Sequence, residues 1–185
     1  MADDPTSIYL FVSSVALGLK IRCSTASKVK RDRISNIAAK KRHSRDSVNH
    51  QIFHKLINVE LDQKIYAIHD SVDLLAQFNN GNLSRADVVL ALSRRSCDIG
   101  RKELNSVTEE LYDEAYLEAK SLDDEIPEGC ASLPMLGLPV SIKDCVHMKG
   151  CDSTLGAVAR CFKPAVEDAF LVQLLRRAGC IPFVR

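Results

Sequence analysis

The most constraining feature of this sequence is a pattern near its C-terminal end, where two short apolar segments flank an amphipathic one. The apolar segments are PVSIK, residues 139–143, and CIPFV, residues 180–184. Between them, DAFLVQLLRRAG has apolar residues at helical spacing, with Asp168 near its start and Gly179 at its end. A strand, a crossover helix and a second strand predict a parallel β-α-β unit. The sequence therefore predicts an α/β fold.

Two neighbouring helices are predicted upstream, within residues 71–96. Gly81 follows the first helical pattern, at the position where a left-handed residue commonly ends a helix. Ser84 and Asp87 have the S-x-x-D spacing of an N-terminal cap on the second helix. Because the connection between them is short, we expect these two helices to be neighbours.

Two further stretches show helical spacing. Residues 47–68 predict one amphipathic helix or a broken pair, and a helix is also predicted from Glu110 through Ala119, after a short extended piece at residues 106–108. Packing thus begins near residue 47, and we interpret residues 47–185 as the folded body of the chain.

The N-terminal region differs from this body in charge and hydropathy. Residues 8–19 carry no charge, whereas residues 20–45 carry ten Lys or Arg and a single acidic residue, Asp32. We interpret residues 1–21 as a membrane anchor or signal-like segment and residues 22–46 as a basic tether. Acidic residues before the apolar run and basic ones after it favour a cytosolic body under the positive-inside rule, with the endoplasmic reticulum as one candidate membrane.

Other interpretations of the N-terminus remain open at this stage. The apolar run is shorter than the ~20 residues that span a bilayer comfortably, so a cleaved signal and an interfacial segment are alternatives. The basic stretch is typical of a solvated linker, and beside a membrane it would attract anionic lipid. No aromatic residue is interleaved with its charges, so we predict no nucleic-acid partner.

Cysteine usage indicates a reducing compartment for the body. The seven cysteines form no C-x-x-C pair and lack the dense spacing of a secreted disulfide scaffold. They are Cys23, Cys97, Cys130, Cys145, Cys151, Cys161 and Cys180.

Lys143 is the principal candidate for chemistry. It stands at the carboxyl end of the first predicted strand, where functional groups gather in parallel sheets. On that strand Val140 and Ile142 face one side, whereas Ser141 and Lys143 face the other. A partly desolvated lysine there can act as a proton acceptor. The alternative from spacing alone is a strand-end lysine that reaches solvent, paired with the adjacent carboxylate of Asp144.

The stretch GLPVSIKDCVHMKGCDSTLG, residues 137–156, resembles the lysine-bearing segment of the amidase signature family. LLAQFNNGNLSRADVV is similar to that family's helix, G-x-L-S turn and helix, and AFLVQLLRRAGCIPFV resembles its next helix and strand. The likeness extends from about Ser71 to Val184 and is strongest to the N-terminal part of the fatty-acid amide hydrolase branch. It implies an α/β fold in which N-terminal helices precede the first, incomplete β-α-β part of a mixed sheet.

The resemblance implies a serine amide hydrolase without a cofactor, in which Lys143 moves protons through a cis-serine to a nucleophilic serine. In that family both serines and the oxyanion loop belong to a Gly/Ser-rich segment beyond the strand that ends at Val184. No serine of this sequence lies in a comparable glycine-rich turn. We therefore expect the chain to be the N-terminal portion of such an enzyme and to be inactive alone, as a fragment, a splice product or a decayed copy. Long-chain acyl amides are the substrates that the resemblance implies.

Other candidate residues carry weaker predictions. By likeness, Ser153 and Thr154 lie in the loop around the lysine and are candidate substrate-binding residues. A zinc site is not favoured, because three potential ligands at irregular spacing are far more often ordinary side chains. Those ligands are Cys145, His147 and Cys151. We predict that His50 and His54 are surface or half-buried residues. We also predict that Asp152 and Asp168 are loop and cap residues and that Ser84 is a cap.

A second class of function is open as an alternative. The chain could act as a non-catalytic module or decoy that pairs with itself or with a full-length relative through its helices or an unfinished sheet, because an uncovered sheet edge invites association.

Overall fold

The computed structural model describes residues 5–48, 50, 52, 58–126 and 132–185, with the backbone alone for residues 5–25. The chain divides into two compact units, residues 1–43 and 44–185. In its described part the first unit is a single helix, α1 (Pro5–Asp46), whose last residues belong to the second unit. Residues 22–46, interpreted above as a basic tether, are therefore helical. Among the described residues, no helix combines the length and the apolar character needed to cross a membrane.

The second unit contains the two neighbouring helices that the sequence predicts. Gly81 follows the first of them with φ of 67°, and the Ser84 hydroxyl accepts a hydrogen bond from Asp87 N at 3.0 Å. Both punctuation signals are thus confirmed. The α-helices of this unit are α2 (Val59–Tyr66), α3 (Ser71–Asn79), α4 (Arg85–Arg95), α5 (Tyr112–Glu125) and α6 (Phe170–Arg177).

A parallel pair of strands, β1 (Pro139–Ser141) and β2 (Ile181–Val184), forms the sheet. Helix α6 lies in the connection between them, so the predicted β-α-β unit is confirmed. The register is regular at Pro139 and Ile181 and becomes irregular after Val140. At the end of α6, Gly179 has φ of 95°, and a Cβ atom there would lie 2.7 Å from Leu136 Cα. Only glycine therefore fits this entry into β2 without strain.

Helix α5 begins at Tyr112, two residues after its predicted start. Thr108 and Leu111 donate their backbone N–H groups to Arg185 O at 2.7 Å and Phe183 O at 3.1 Å. The residues before α5 thus lie along the edge of β2, on the side away from β1. The predicted start was wrong because hydrogen bonds to the distant end of the chain compete with the first helical turn.

The stretch predicted as one amphipathic helix or a broken pair is only partly described. Within residues 47–68, the α-helix that the structure describes is α2. Its N-terminal cap is Asn58, whose side chain accepts a hydrogen bond from Leu61 N at 3.0 Å. Residues 49, 51 and 53–57 lie outside the described residues.

The core under α6 fixes the loop that follows β1. Val172 of α6 is fully buried and packs in one cluster with Ile142, Met148 and Cys151. These four residues come from β1's end, the following loop and α6. The same packing that covers the sheet therefore also holds down the loop beside Lys143.

Candidate functional site

Lys143 lies directly beyond the carboxyl end of β1. The strand ends at Ser141, two residues earlier than predicted, although Ile142 still donates its N–H to Val184 O at 2.9 Å. Val146 N then donates to Lys143 O at 2.9 Å, which closes a turn. Ile142 is 4% exposed, whereas Ser141 and Lys143 are exposed. The predicted alternation of faces thus continues past the strand's end.

Lys143 is one of the residues that line a cavity of about 490 Å³ at this end of the sheet. No carboxylate of the described residues forms an ion pair with its ammonium group within 4.0 Å. Lys143 thus borders a cleft, and its ammonium group has no carboxylate partner among the described residues. The lining residues are Ser96, Gly100, Ser106, Val107, Thr108, Ser141, Ile142, Lys143, Asp144, Val184 and Arg185.

The neighbouring carboxylate of Asp144 organises the loop that follows. Its Oδ2 accepts hydrogen bonds from Thr154 Oγ1 at 2.8 Å and from Leu155 N at 2.6 Å, and its Oδ1 accepts one from Thr154 N at 3.2 Å. Leu155 has φ of 51°, which is unfavourable for a side chain of its size. The bonds to Asp144 help to hold that conformation, so this carboxylate closes the loop instead of neutralising Lys143.

Arg185 is the residue that binds the other side of this loop. Its side chain is 0% exposed, and its guanidinium donates to Asp152 O at 2.6 Å, Val146 O at 2.6 Å and Asp144 O at 3.1 Å. The carboxylate of Glu109 lies 3.9 Å from the Arg185 guanidinium and partly balances its positive charge. The loop after Lys143 is thus wrapped around a buried cation. Sequence reasoning missed this role; its signal is an arginine directly after a fully apolar strand.

The hydroxyl groups of Ser153 and Thr154 are engaged within the loop. Ser153 Oγ donates to Val146 O at 3.4 Å and accepts from Arg185 Nη2 at 3.3 Å. Thr154 Oγ1 donates to Asp144 and accepts from Gly156 N at 3.2 Å. Neither residue belongs to the cavity lining, and their role in substrate binding stays a prediction.

Two further carboxylates of this region have structural partners. The buried carboxylate of Asp152 accepts hydrogen bonds from the backbone N–H groups of residues 162–163, at 2.6 and 2.7 Å, as expected of a loop residue. Asp168 was predicted as a cap, and this is wrong. Its carboxylate accepts from Lys149 N at 2.7 Å, while α6 begins after Ala169 without a side-chain cap.

His50 is fully buried at 3% exposure, so its prediction as a surface or half-buried residue is wrong. Its Nδ1 lies 2.9 Å from Asp113 Oδ2, and its Nε2 lies 2.9 Å from Glu110 Oε2. Arg101 Nη1 donates to the same Glu110 oxygen at 3.0 Å. These charged partners offset the cost of burying the ring. His54 lies outside the described residues.

The three potential zinc ligands differ in environment. Cys145 and His147 are exposed, whereas Cys151 is 3% exposed. Burial, reinforced by the Glu109 carboxylate, raises the pKa of the Cys151 thiol to about 11. In the part of the chain that the structure describes, no three His, Cys, Asp or Glu side chains are placed to hold a metal ion. The described cysteines are all unpaired thiols: Cys97, Cys145, Cys151, Cys161 and Cys180.

Comparisons with known proteins agree on one family. Its sequence model, described as Amidase, matches residues 87–185, which include Lys143. Amidase 1 of Gibberella moniliformis is 36% identical over 148 residues, covering 80% of this chain and 28% of that protein. Fatty-acid amide hydrolase 1 of Sus scrofa is 29% identical over 130 residues, covering 70% of this chain and 21% of that protein.

A solved structure of a fatty acid amide hydrolase shows the same fold. It matches with a TM-score of 0.60 at 20% identity, over 82% of this chain and 26% of that one. The chain thus spans between 21% and 28% of the length of the two curated relatives described above.

Proposed function

Since the chain belongs to the amidase family, we propose that it is the N-terminal portion of an amide hydrolase and that Lys143 is the general base. The observation that carries this proposal is the position of Lys143 at the carboxyl end of a parallel strand and on the wall of a cavity. Substrate groups bind at this edge of such sheets. The loop bound by Asp144 and Arg185 fixes the backbone on the C-terminal side of the lysine.

In the proposed reaction, the amine of Lys143 accepts a proton from one serine hydroxyl. That serine takes the proton of a second serine, whose oxygen attacks the amide carbonyl carbon. The proton then passes to the nitrogen of the leaving amine as the C–N bond breaks, and water hydrolyses the acyl-enzyme in a second step. Each transfer moves one proton, so no redox partner is required.

The nucleophile is proposed to come from the part of an amidase that this chain does not span. Three serines line the cavity, but the Ser96 hydroxyl accepts from Tyr112 Oη and Ser106 donates to Gly100 O. The third, Ser141, precedes Lys143 by two residues on the same segment. Loss of a nucleophile removes about four to six orders of magnitude in rate. We therefore expect the 185-residue chain alone to show no amide hydrolysis.

The finer proposal is that the substrate is a long-chain acyl amide cleaved at a membrane. Similarity to fatty-acid amide hydrolase 1 supports it, as does the uncharged run at residues 8–19. The body is proposed to lie on the cytosolic side, with the endoplasmic reticulum as the candidate membrane.

The test uses a chimera in which residues 71–185 replace the aligned segment of Amidase 1 from Gibberella moniliformis. Hydrolysis of short-chain and long-chain amides is measured for the chimera and two variants, after circular dichroism confirms folding. We expect Lys143→Met to lower kcat by about 10³-fold or more. The matched control Lys149→Met changes an exposed lysine six residues away and should leave kcat unchanged. Equal activity of the Lys143→Met chimera, or Lys143-dependent hydrolysis by the chain alone, would contradict the proposal.

A second candidate function is association through α6, with the chain as a non-catalytic module. Phe170, Leu171 and Leu174 are exposed on this helix although all three are apolar. An exposed apolar face favours self-association or pairing with a relative. Sedimentation velocity tests this: the chain should form a concentration-dependent dimer or larger species, and Leu174→Lys should return it to monomer.

A further inference from the structure

Helix α1 carries an unusual density of positive charge. Its residues 20–45 include ten Lys or Arg against Asp32 alone. Six of the basic side chains are exposed in the part of the helix whose side chains are described. These are Lys28, Lys30, Arg31, Arg33, Lys40 and Arg42.

These six charges have no counter-ion among the described residues. No acidic side chain of the described residues forms an ion pair with any of them within 4.0 Å. Arg45, near the end of the same helix, is different, because it pairs with Asp46 at 2.9 Å and donates to Val107 O at 2.9 Å. These six charges are therefore available to an external partner.

The charges surround the helix instead of forming one stripe. At 3.6 residues per turn, successive residues are separated by about 100° around the axis. Lys28, Lys30, Arg31 and Arg33 then point about 0°, 200°, 300° and 140° from a common reference. A groove on an acidic protein would engage one stripe of such a helix. An extended anionic surface can instead be contacted by whichever face approaches it.

The same helix has an uncharged N-terminal part, residues 8–19. At about 1.5 Å per residue this part is about 18 Å long, shorter than the ~30 Å hydrocarbon core of a bilayer. A dense cluster of basic residues attracts anionic headgroups at a membrane surface, and the adjacent apolar residues add burial at the interface.

We propose that α1 binds the surface of anionic phospholipid membranes, with residues 20–42 against the headgroups and residues 8–19 in the interfacial layer. This inference deepens the proposed membrane association and is independent of the hydrolase chemistry. Nucleic acid, the other polyanion, is disfavoured because residues 20–45 contain no Phe, Tyr or Trp to stack on bases.

The experiment measures co-sedimentation of the full chain with vesicles. One set is pure phosphatidylcholine, and the other contains phosphatidylserine in part. The test variant changes Lys28, Lys30, Arg31 and Arg33 to Gln together, since glutamine has a helix propensity close to that of Lys and Arg. The matched control removes the same charge from exposed positions of the second unit, as Lys120, Lys149, Arg160 and Lys163 to Gln.

We expect the wild-type chain and the matched control to bind phosphatidylserine vesicles, and the α1 variant to bind about 600-fold more weakly, at roughly fivefold for each of the four basic residues. Raising the salt from about 0.1 M to about 1 M should release the protein, because the screening length falls from about 10 Å to about 3 Å. Circular dichroism of the variant should match that of the wild type.

Three results would overturn the proposal. The first is equal binding to both vesicle types, which would make the apolar segment sufficient. The second is an α1 variant that binds like the control. The third is tight binding of duplex DNA or RNA by the wild type without binding to phosphatidylserine vesicles. None of these results bears on Lys143, so failure here is distinct from failure of the proposed hydrolase role.

Discussion

Arginine has opposite environments in the two regions of this protein. In α1, Arg31 and Arg33 are exposed and have no counter-ion among the described residues. At the end of β2, Arg185 is fully buried and binds three carbonyl groups of the loop after Lys143. The same guanidinium group is therefore proposed to attract an external partner in one region, whereas it stabilises a loop in the other. A charged residue acquires its role from its surroundings, because solvent screens the exposed charge and burial makes each unmade hydrogen bond costly.

The largest expected effect tests the internal half of this comparison. Arg185→Ala should lower the free energy of unfolding by about 3–5 kcal/mol, because it leaves buried carbonyl groups without their donor and removes the cation beside the Glu109 carboxylate. Urea denaturation followed by circular dichroism measures the change. Arg160→Ala, at an exposed position on the same loop, should change stability by no more than about 0.5 kcal/mol. Equal effects of the two changes would show that the buried guanidinium does not hold the loop.

A matched pair of valines extends the comparison to apolar side chains. Val172 is 0% exposed and Val29 is 67% exposed. Val172→Ala should cost about 2–3 kcal/mol through lost burial and the cavity it leaves. Val29→Ala should stay within about 0.5 kcal/mol, since an exposed alanine suits a helix at least as well. Both values come from the same urea titrations, and a large loss from Val29→Ala would mean that α1 is packed in solution.

The smallest expected effect is a pH dependence that arises in the core. The pKa of the Cys151 thiol is raised from its ordinary value of 9.0 to about 11, chiefly by burial. A thiol with a raised native pKa stabilises the fold fully below pH 9 and loses that contribution as pH rises towards 11, because the unfolded chain releases its proton first. Stability should therefore fall by about 2 kcal/mol more across this window in the wild type than in Cys151→Ala. Parallel pH profiles of the two proteins would contradict this.

Much of the fold could be predicted from local patterns. The spacing of apolar residues in PVSIK, DAFLVQLLRRAG and CIPFV predicted the β-α-β unit. The spacing of Ser84 and Asp87 predicted the start of α4. The boundaries of the helices and strands were harder to predict from the sequence. The strand β1 ends at Ser141 and α5 begins at Tyr112, because hydrogen bonds to distant segments or a local turn replace the regular pattern there.

The candidate site was predictable in one residue and not in its surroundings. Lys143 follows an apolar strand, which is a local signal, and the structure places it on the wall of a cavity. The roles of Asp144 and Arg185 were not visible, since their partners lie 10 to 41 residues away along the chain. The burial of His50 was mispredicted for the same reason, because its carboxylate partners lie 60 and 63 residues away.

The sequence by itself determined the order of helices and strands, the charge of α1 and the placement of an amine after β1, because these depend on neighbouring residues and on residue chemistry. Tertiary structure decided which charges are buried, which carboxylate closes the lysine loop and where each element ends. Those outcomes depend on groups far apart in the chain competing for the same hydrogen bonds, and only the packed fold determines which of them meet.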